Sequence, residues 1–190
     1  KVDHATINRW VLKYAPEIEE RARKYKLPVC RSWRLDETYI KVRGKWKYLY
    51  RAVDKCGRTI DFMLTAKRNV AAVKRFIRKA RLWNRKPNVI NIDKSGANKK
   101  ALESYYKPCK IVKGHVTKIR SCKYLNNILE QDHRHIKRIT NPMGGFKSFH
   151  TAVRTLAGIE LMHMIKKKQF HIKGYYNQTP AEQFYLLATI

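Results

Sequence analysis

Residues 33–42 read Trp33-Arg34-Leu35-Asp36-Glu37-Thr38-Tyr39-Ile40-Lys41-Val42, a run rich in aromatic and β-branched residues. Such residues suit the pleated surface of a β-sheet, so we expect a strand here. Two more strand patterns follow at Trp46–Val53 and Thr59–Leu64, separated by turn signals at Gly44-Lys45 and at residues 55–58. Together they predict a three-stranded antiparallel meander.

The rest of the chain alternates between helical and extended patterns. A helical period covers Asn69–Trp83, and the short apolar run Asn88–Ile92 is typical of a buried parallel strand. The remaining predicted elements are a helix at Ala97–Tyr106, a fifth strand including Ile111-Val112, and helices at Leu125–Ile139 and Ser148–Lys168. The order βββαβαβαα predicts an α/β fold with a mixed five-stranded sheet and helices on both faces, the ribonuclease H-like arrangement.

The amino-terminal segment has a different pattern. Residues Asp3–Tyr14 read as an amphipathic helix capped by Asp3, and Pro16 should end this helix or start the next one. A charged helix is expected at Glu17–Lys26, and the main domain should begin near Arg31.

The charge balance points to a polyanionic partner. Lys and Arg number 43 against 14 Asp and Glu, which gives a formal net charge of +29. Nucleic acid is the leading candidate; a basic ribosomal-type protein without an active site and a membrane-surface binder are the alternatives. No apolar run approaches the roughly 20 residues of a bilayer span, and no signal peptide follows Lys1. We therefore expect a soluble protein, and a sequence that begins inside a longer one.

The four cysteines are widely spaced. No C-x-x-C motif occurs among the four, which are Cys30, Cys56, Cys109 and Cys122. This spacing argues against a zinc site and favours free intracellular thiols.

Two aspartates stand at positions that suggest a metal site. Asp36 lies inside the first predicted strand, where an unpaired carboxylate opposes burial, and Asp93 follows the buried run that ends at Ile92. Adjacent strands lie about 4.8 Å apart, so both carboxylates can approach one point if these strands are neighbours. Two carboxylates that close repel unless a cation lies between them, and Mg²⁺ fits such oxygen ligands.

A third carboxylate could come from the helix that begins near Leu125. Glu130 shares a face with His133, Arg134 and Lys137, the last two turns away, and these basic groups could hold DNA phosphate. Asp132 is the rival, although it falls within the apolar stripe and is expected to be a buried, paired acid. Periodicity favours Glu130 without excluding Asp132.

Two further acids have a structural interpretation. Asp54 and Asp61 flank a predicted turn, so we expect them at turn and surface positions.

Several blocks of the sequence closely resemble the DDE transposases of the bacterial IS-six family of insertion sequences. The blocks extend over nearly the whole chain and are residues 33–42, Gly44-Lys45-Trp46, Tyr48–Asp54, Asp93-Lys94, Lys123–His133, Gly145–Phe149 and Leu156–Glu160.

The resemblance implies roles for particular residues. It makes Asp36, Asp93 and Glu130 the catalytic triad of a ribonuclease H-like domain, and Lys137 the basic residue two turns after the glutamate. Asp3–Tyr14, with Thr6 and Arg9, is similar to the second helix of the family's helix-turn-helix, of which the first part is missing. The implied organisation is a partial DNA-binding segment with its linker helix at 1–28, a catalytic domain at 29–170 and a carboxyl-terminal tail at 171–190.

The function implied is metal-dependent DNA cleavage and strand transfer. Two Mg²⁺ ions, for which Mn²⁺ could substitute, would be held by the triad and would activate water and then the released 3′-hydroxyl. The expected partners are double-stranded DNA at element ends and target, and further copies of the chain in a homodimer or larger synaptic complex. The expected location is the bacterial cytoplasm, in association with the nucleoid. The alternatives are a ribonuclease H-type nuclease and an inactive remnant that only binds DNA.

Overall fold

Five strands form one mixed sheet in the computed structural model, which describes residues 1–93, 96–106 and 116–189. The strands are β1 Ser32–Val42, β2 Lys45–Asp54, β3 Thr59–Thr65, β4 Val89–Ile92 and β5 Lys118–Ser121. They lie in the order β3-β2-β1-β4-β5, with the first three antiparallel and β1, β4 and β5 parallel. The predicted mixed five-stranded sheet is confirmed. The stretch Ile111-Val112, expected to hold the fifth strand, lies outside the described residues.

The hairpin between β1 and β2 turns at Arg43-Gly44, one residue earlier than expected. Both residues have positive φ, 50° and 74°. A two-residue hairpin turn of this kind requires left-handed backbone at both positions, which explains the glycine.

Helices cover both faces of the sheet. Their bounds are α1 His4–Ala22, α2 Val70–Trp83, α3 Gly96–Tyr106, α4 Asn127–Thr140, α5 Phe149–Lys166 and α6 Pro180–Thr189, with 3₁₀ turns at Arg23–Tyr25 and Lys123–Asn126. Side chains of Asp3, Asn69 and Ser148 accept backbone N–H bonds at the starts of α1, α2 and α5. Such caps satisfy donors that a helix leaves unpaired at its first turn.

Alternation along the strands divides the core in two. Trp33 and Leu35 on β1 pack with α2 and α3 on one face, and Ile40 and Val42 pack with α1, α4, α5 and α6 on the other. Leu187 of α6 belongs to this second core. The carboxyl-terminal segment therefore packs against the fold through α6, whose helix covers Pro180–Thr189.

The amino-terminal helix runs through Pro16, although a break was expected there. Proline lacks the N–H that would bond to the carbonyl of Leu12 four residues earlier. Arg154 of α5 donates to that carbonyl at 2.6 Å and so replaces the missing bond. The two helices also approach closely, since a Cβ atom added at Gly158 of α5 would lie 3.0 Å from Ala15 Cβ. Helix α1 is therefore fastened to the sheet-covering layer.

The surface positions expected for Asp54 and Asp61 are wrong, because both side chains are buried. Asp61 is buried in β3 and accepts hydrogen bonds from Arg23 at 3.0 and 3.2 Å and from Lys79 at 3.0 Å. These cations come from distant parts of the chain. Their pairing supplies the hydrogen bonds and opposite charge that a buried carboxylate requires.

No helix within the described ranges is both long and apolar enough to cross a bilayer.

Candidate active site

Strands β1 and β4 bring Asp36 and Asp93 together. Their parallel register pairs Leu35 with Ile92, so the two aspartates occupy the next position on each strand. Both side chains are half-buried. The pKa of Asp36 is raised to about 7, first by burial and then by the negative charges of Glu37 and Asp93. The sheet thus sets two interacting carboxylates beside each other, as the sequence predicts.

Helix α4 covers the face of the sheet that carries Asp36. Asp36 pairs with Arg51 across β1 and β2, so their side chains share a face, and Arg51 contacts Asp132 of α4. The segment before α4 is anchored to β1 and β4, the two strands that carry or precede the aspartates. Arg34 donates from Nε to the carbonyl of Leu125 at 2.8 Å, and the N–H of Cys122 donates to the carbonyl of Ile92 at 3.1 Å.

Glu130 lies in the first turn of α4 with an exposed side chain. The structure does not bring its carboxylate together with the two aspartates, since the three carboxylates do not all lie within 4.8 Å of one another. Glu130 and Lys137 differ by only about 20° around the helix axis, so they share its outer flank. The candidate site therefore consists of the aspartate pair and, separately, the exposed side of α4 that carries Glu130 and Lys137.

Asp132 belongs to a buried ion network, as periodicity predicted. Its carboxylate lies 2.7 Å from Arg51, 2.7 Å from His163 and 2.5 Å from Lys167. Burial alone would raise the pKa of Asp132, but the His163 hydrogen bond and the charges of Arg51 and Lys167 hold it well below its usual range. Because its oxygens are taken by these cations, Asp132 is a poor candidate for the third ligand.

The same network holds a pairing that the sequence analysis did not identify. Arg51 is fully buried and donates to Glu160 of α5 at 2.6 and 3.0 Å. The signal was present, since an arginine within a strand and a glutamate within an apolar helix are both costly unless paired.

The residues proposed for DNA contact differ in exposure. Arg134 and Lys137 are exposed on α4, and Arg9 is exposed on α1, where it donates to the Thr6 hydroxyl at 2.8 Å. His133 is instead only 6% exposed. Burial and, secondarily, the neighbouring charge of Arg51 lower its pKa to about 3. A buried neutral imidazole cannot bind phosphate from the solvent side, so this position corrects the expectation for His133.

A second acid missed from the sequence lies behind the aspartates. Glu37 points to the α2 and α3 face, is paired with Arg68, and accepts from Asn98 Nδ2 at 2.9 Å. Its charge is the second cause of the raised pKa of Asp36. The alternation of side chains along a strand separates neighbouring acids of this kind onto opposite faces.

The mixed five-stranded sheet, with Asp36 inside β1 next to Asp93 at the end of β4, is an arrangement of the ribonuclease H-like class. The family model of the IS240 transposase DDE domain matches residues 30–169. Two Staphylococcus aureus transposases, of insertion sequence-like element IS431mec and of IS257 in transposon Tn4003, are each 37% identical over 188 residues, which cover 98% of this chain and 80% of theirs. The chain therefore belongs to the IS-six family of insertion-sequence transposases, and its activity is DNA transposition.

Solved structures agree with the fold. The magnesium complex of the HTLV-2 integrase catalytic core in its trimeric form is 18% identical, with a TM-score of 0.50 over 83% of this chain and 97% of that one. A simian T-cell lymphotropic virus intasome chain gives 14% identity and a TM-score of 0.50, with coverage of 84% of this chain and 55% of that one. Both show the ribonuclease H-like fold, while family membership favours a transposase over a simple nuclease.

Proposed function

We propose that Asp36, Asp93 and Glu130 act as the catalytic triad for DNA strand cleavage and strand transfer. The observation that carries this proposal is the parallel register of β1 and β4, which aligns the two half-buried aspartates. The anchoring of the turn before α4 to both strands supports Glu130 as the third acid.

The donor set fits a hard divalent cation. Carboxylate oxygens that are only half-buried suit Mg²⁺, which keeps several waters and takes one or two protein carboxylates. Asp36, Asp93 and Glu130 would hold two such ions, and Mn²⁺ would substitute for Mg²⁺. When bound, the ions lower the pKa of coordinated water and stabilise charge on the phosphate oxygens during an in-line displacement.

The chain's own basic residues would hold the DNA. Lys137 shares the outer flank of α4 with Glu130, and Arg134 is exposed one turn after Glu130. Both would bind backbone phosphates and align the scissile phosphate with the acids, without reading bases. The net charge of +29 supplies the general attraction to double-stranded DNA, both at element ends and at the target.

The amino-terminal part would contribute to recognition of element ends. In this division residues 1–28 would bind DNA through Thr6 and Arg9, residues 29–170 would carry the chemistry, and the tail at 171–190 would add α6 to the helical layer. The substrate locates the reaction in the bacterial cytoplasm, on DNA of the nucleoid.

An apolar groove between α1, α5 and α6 supports self-association. Its volume is about 1020 Å³, and Trp10, Tyr14 and Tyr185 line it while remaining 42–68% exposed. DNA phosphates are charged and do not pack against an apolar groove, whereas exposed apolar patches of this kind are typical of protein interfaces. Glu17 and Arg21 add opposite charges to the lining, so a second copy of this chain in antiparallel orientation would be complementary. The proposed occupant of the groove is therefore a second copy of this chain, within a homodimer or larger synaptic complex.

The oligomeric state is tested by size-exclusion chromatography with multi-angle light scattering, with and without DNA. Trp10→Ser combined with Tyr185→Ser should convert the wild-type oligomer to a monomer. Trp46→Ser is the matched control, because Trp46 is 60% exposed but does not line the groove. A monomeric wild-type protein at high concentration on DNA would exclude this interface.

The triad is tested by isosteric substitution. Asp36→Asn, Asp93→Asn and Glu130→Gln should each lower Mg²⁺-dependent nicking of supercoiled plasmid DNA by more than about 100-fold, since even groups outside the ligand shell contribute about 10–100-fold. DNA affinity should hold or rise, because removing negative charge cannot weaken attraction to phosphate. Glu103→Gln, an exposed acid on α3, is the control. Calorimetric Mg²⁺ titration gives a second measurement, and full nicking and Mg²⁺ binding by Asp93→Asn would refute the proposal.

A further inference from the structure

Two cysteines and a carboxylate meet away from the triad, although their sequence spacing suggested no metal site. Cys30 lies in the segment that enters β1, Cys56 lies in the turn after β2, and Asp54 is the last residue of β2. One ligand atom from each of the three lies within 4.8 Å of the other two. Among the described residues, no other group of three such side chains meets this condition.

Asp54 fixes both thiol-bearing segments through their backbone. Its Oδ1 accepts from the N–H of Cys56 at 2.8 Å and of Arg58 at 3.0 Å, and its Oδ2 accepts from the N–H of Cys30 at 2.9 Å. Asp54 is fully buried, so this arrangement is held by the fold. A carboxylate offers about four lone-pair sites, so three bonds leave one oxygen site on the side of Cys30.

The arrangement also has a supporting bond. Arg58 donates from Nη1 to the carbonyl of Pro28 at 3.1 Å, which links the turn after β2 to the chain just before Cys30. Two segments that are 26 residues apart in sequence are thus set side by side. The thiols do not depend on a flexible loop to meet.

The donors select a borderline-soft ion. Thiolates prefer Zn²⁺ and similar metals over Mg²⁺, and Zn–S bonds measure about 2.3 Å. Ligands of a tetrahedral site at that bond length lie about 3.8 Å apart, which is within the observed limit. The cluster differs in this respect from the triad, whose oxygen ligands suit a hard cation.

We propose that Cys30, Cys56 and Asp54 bind one zinc-class divalent cation, with solvent as the fourth ligand. The ion would join the entry of β1 to the turn between β2 and β3. Trp33 pairs with Asp54 in the register of β1 and β2, so the site lies about three residues, or roughly 10 Å, along β1 from Asp36. The ion would therefore brace the strand that carries the first triad acid, without touching that acid.

Cobalt titration of the reduced protein provides the test. Co²⁺ bound by thiolates gives a sulfur-to-metal charge-transfer band, whereas a site built of carboxylates gives none. We expect one equivalent of Co²⁺ to produce the band, Zn²⁺ to displace it, and Zn²⁺ to raise the melting temperature by several degrees. Cys30→Ser and Cys56→Ser should each abolish the band and the Zn²⁺-dependent rise in melting temperature.

The matched control is Cys122→Ser, which removes a free thiol outside the cluster and should leave the band intact. Asp36→Asn should also leave the band intact, which separates this site from the triad. Absence of a thiolate band in the folded wild-type protein would overturn the proposal. So would a band that survives in Cys30→Ser or disappears in Cys122→Ser.

Discussion

Replacing Asp132 by asparagine should destabilise the fold strongly. Asp132 and Glu160 carry the two negative charges that balance Arg51 and Lys167 in the network between β2, α4 and α5. The substitution leaves one surplus positive charge beside a fully buried guanidinium. Breaking a buried pair by removing one partner costs about 3–5 kcal/mol. For a chain of this size, each kcal/mol lowers the melting temperature by about 2–4 °C, so we expect a fall of about 6–20 °C.

The assay is thermal and urea unfolding followed by circular dichroism. Glu130→Gln serves as the control, because its side chain is exposed and surface changes usually stay within about 0.5 kcal/mol. The lowered pKa of Asp132 also determines how its stabilising contribution depends on pH. The pKa of Asp132 is lowered in the folded protein, so its contribution is complete above the unfolded pKa of about 3.9 and is lost as the pH falls through the folded value. The contribution of this carboxylate to the gap between wild type and Asp132→Asn should therefore decline below about pH 4. An Asp132→Asn protein as stable as Glu130→Gln at pH 7 would refute the network argument.

Three further outcomes are expected. Arg154→Ala should lower the free energy of unfolding by about 1–3 kcal/mol, because it leaves the Leu12 carbonyl without a donor. The loss should be smaller in a Pro16→Ala background, where the backbone N–H of residue 16 is restored. Equal losses in urea unfolding of the two backgrounds would contradict this. Lys137→Ala should weaken binding of a DNA duplex in fluorescence anisotropy more than Arg138→Ala, an exposed neighbour about 100° away around α4, with both circular dichroism spectra unchanged. Affinity for arbitrary DNA should fall about 10³-fold or more between 50 and 200 mM salt because of counterion release, whereas a flat response would argue against binding through phosphate contacts.

The sequence predicted the sheet well because strand patterns are local. Each strand of the meander was located to within one residue at either end, since alternation and turn residues are read over a few positions. The parallel approach of Asp36 and Asp93 followed from their places in two strands. These features depend on neighbours in sequence and on general sheet geometry.

Other features depend on partners that are distant in sequence. The helix break predicted at Pro16 does not occur because Arg154 supplies the missing hydrogen bond. Arg154 lies 138 residues away along the chain, so nothing in the local sequence indicated it. Asp61 was expected at the surface because its partners Arg23 and Lys79 belong to other elements. The meeting of Cys30 with Cys56 has the same origin. Local patterns carry no information about such tertiary pairs.

The course of α1 turns the amino end of the protein into a molecular ruler. Nineteen residues form one rod about 28 Å long that has no hinge at Pro16 and is clamped to α5 at Arg154 and Gly158. In the proposed division, a DNA duplex bound at the free end of α1 would be held at a fixed distance from the aspartates. The length of α1 would then set the number of base pairs between the bound sequence and the cleaved phosphate, and inserting one or two residues into α1 would change both the distance and the angle.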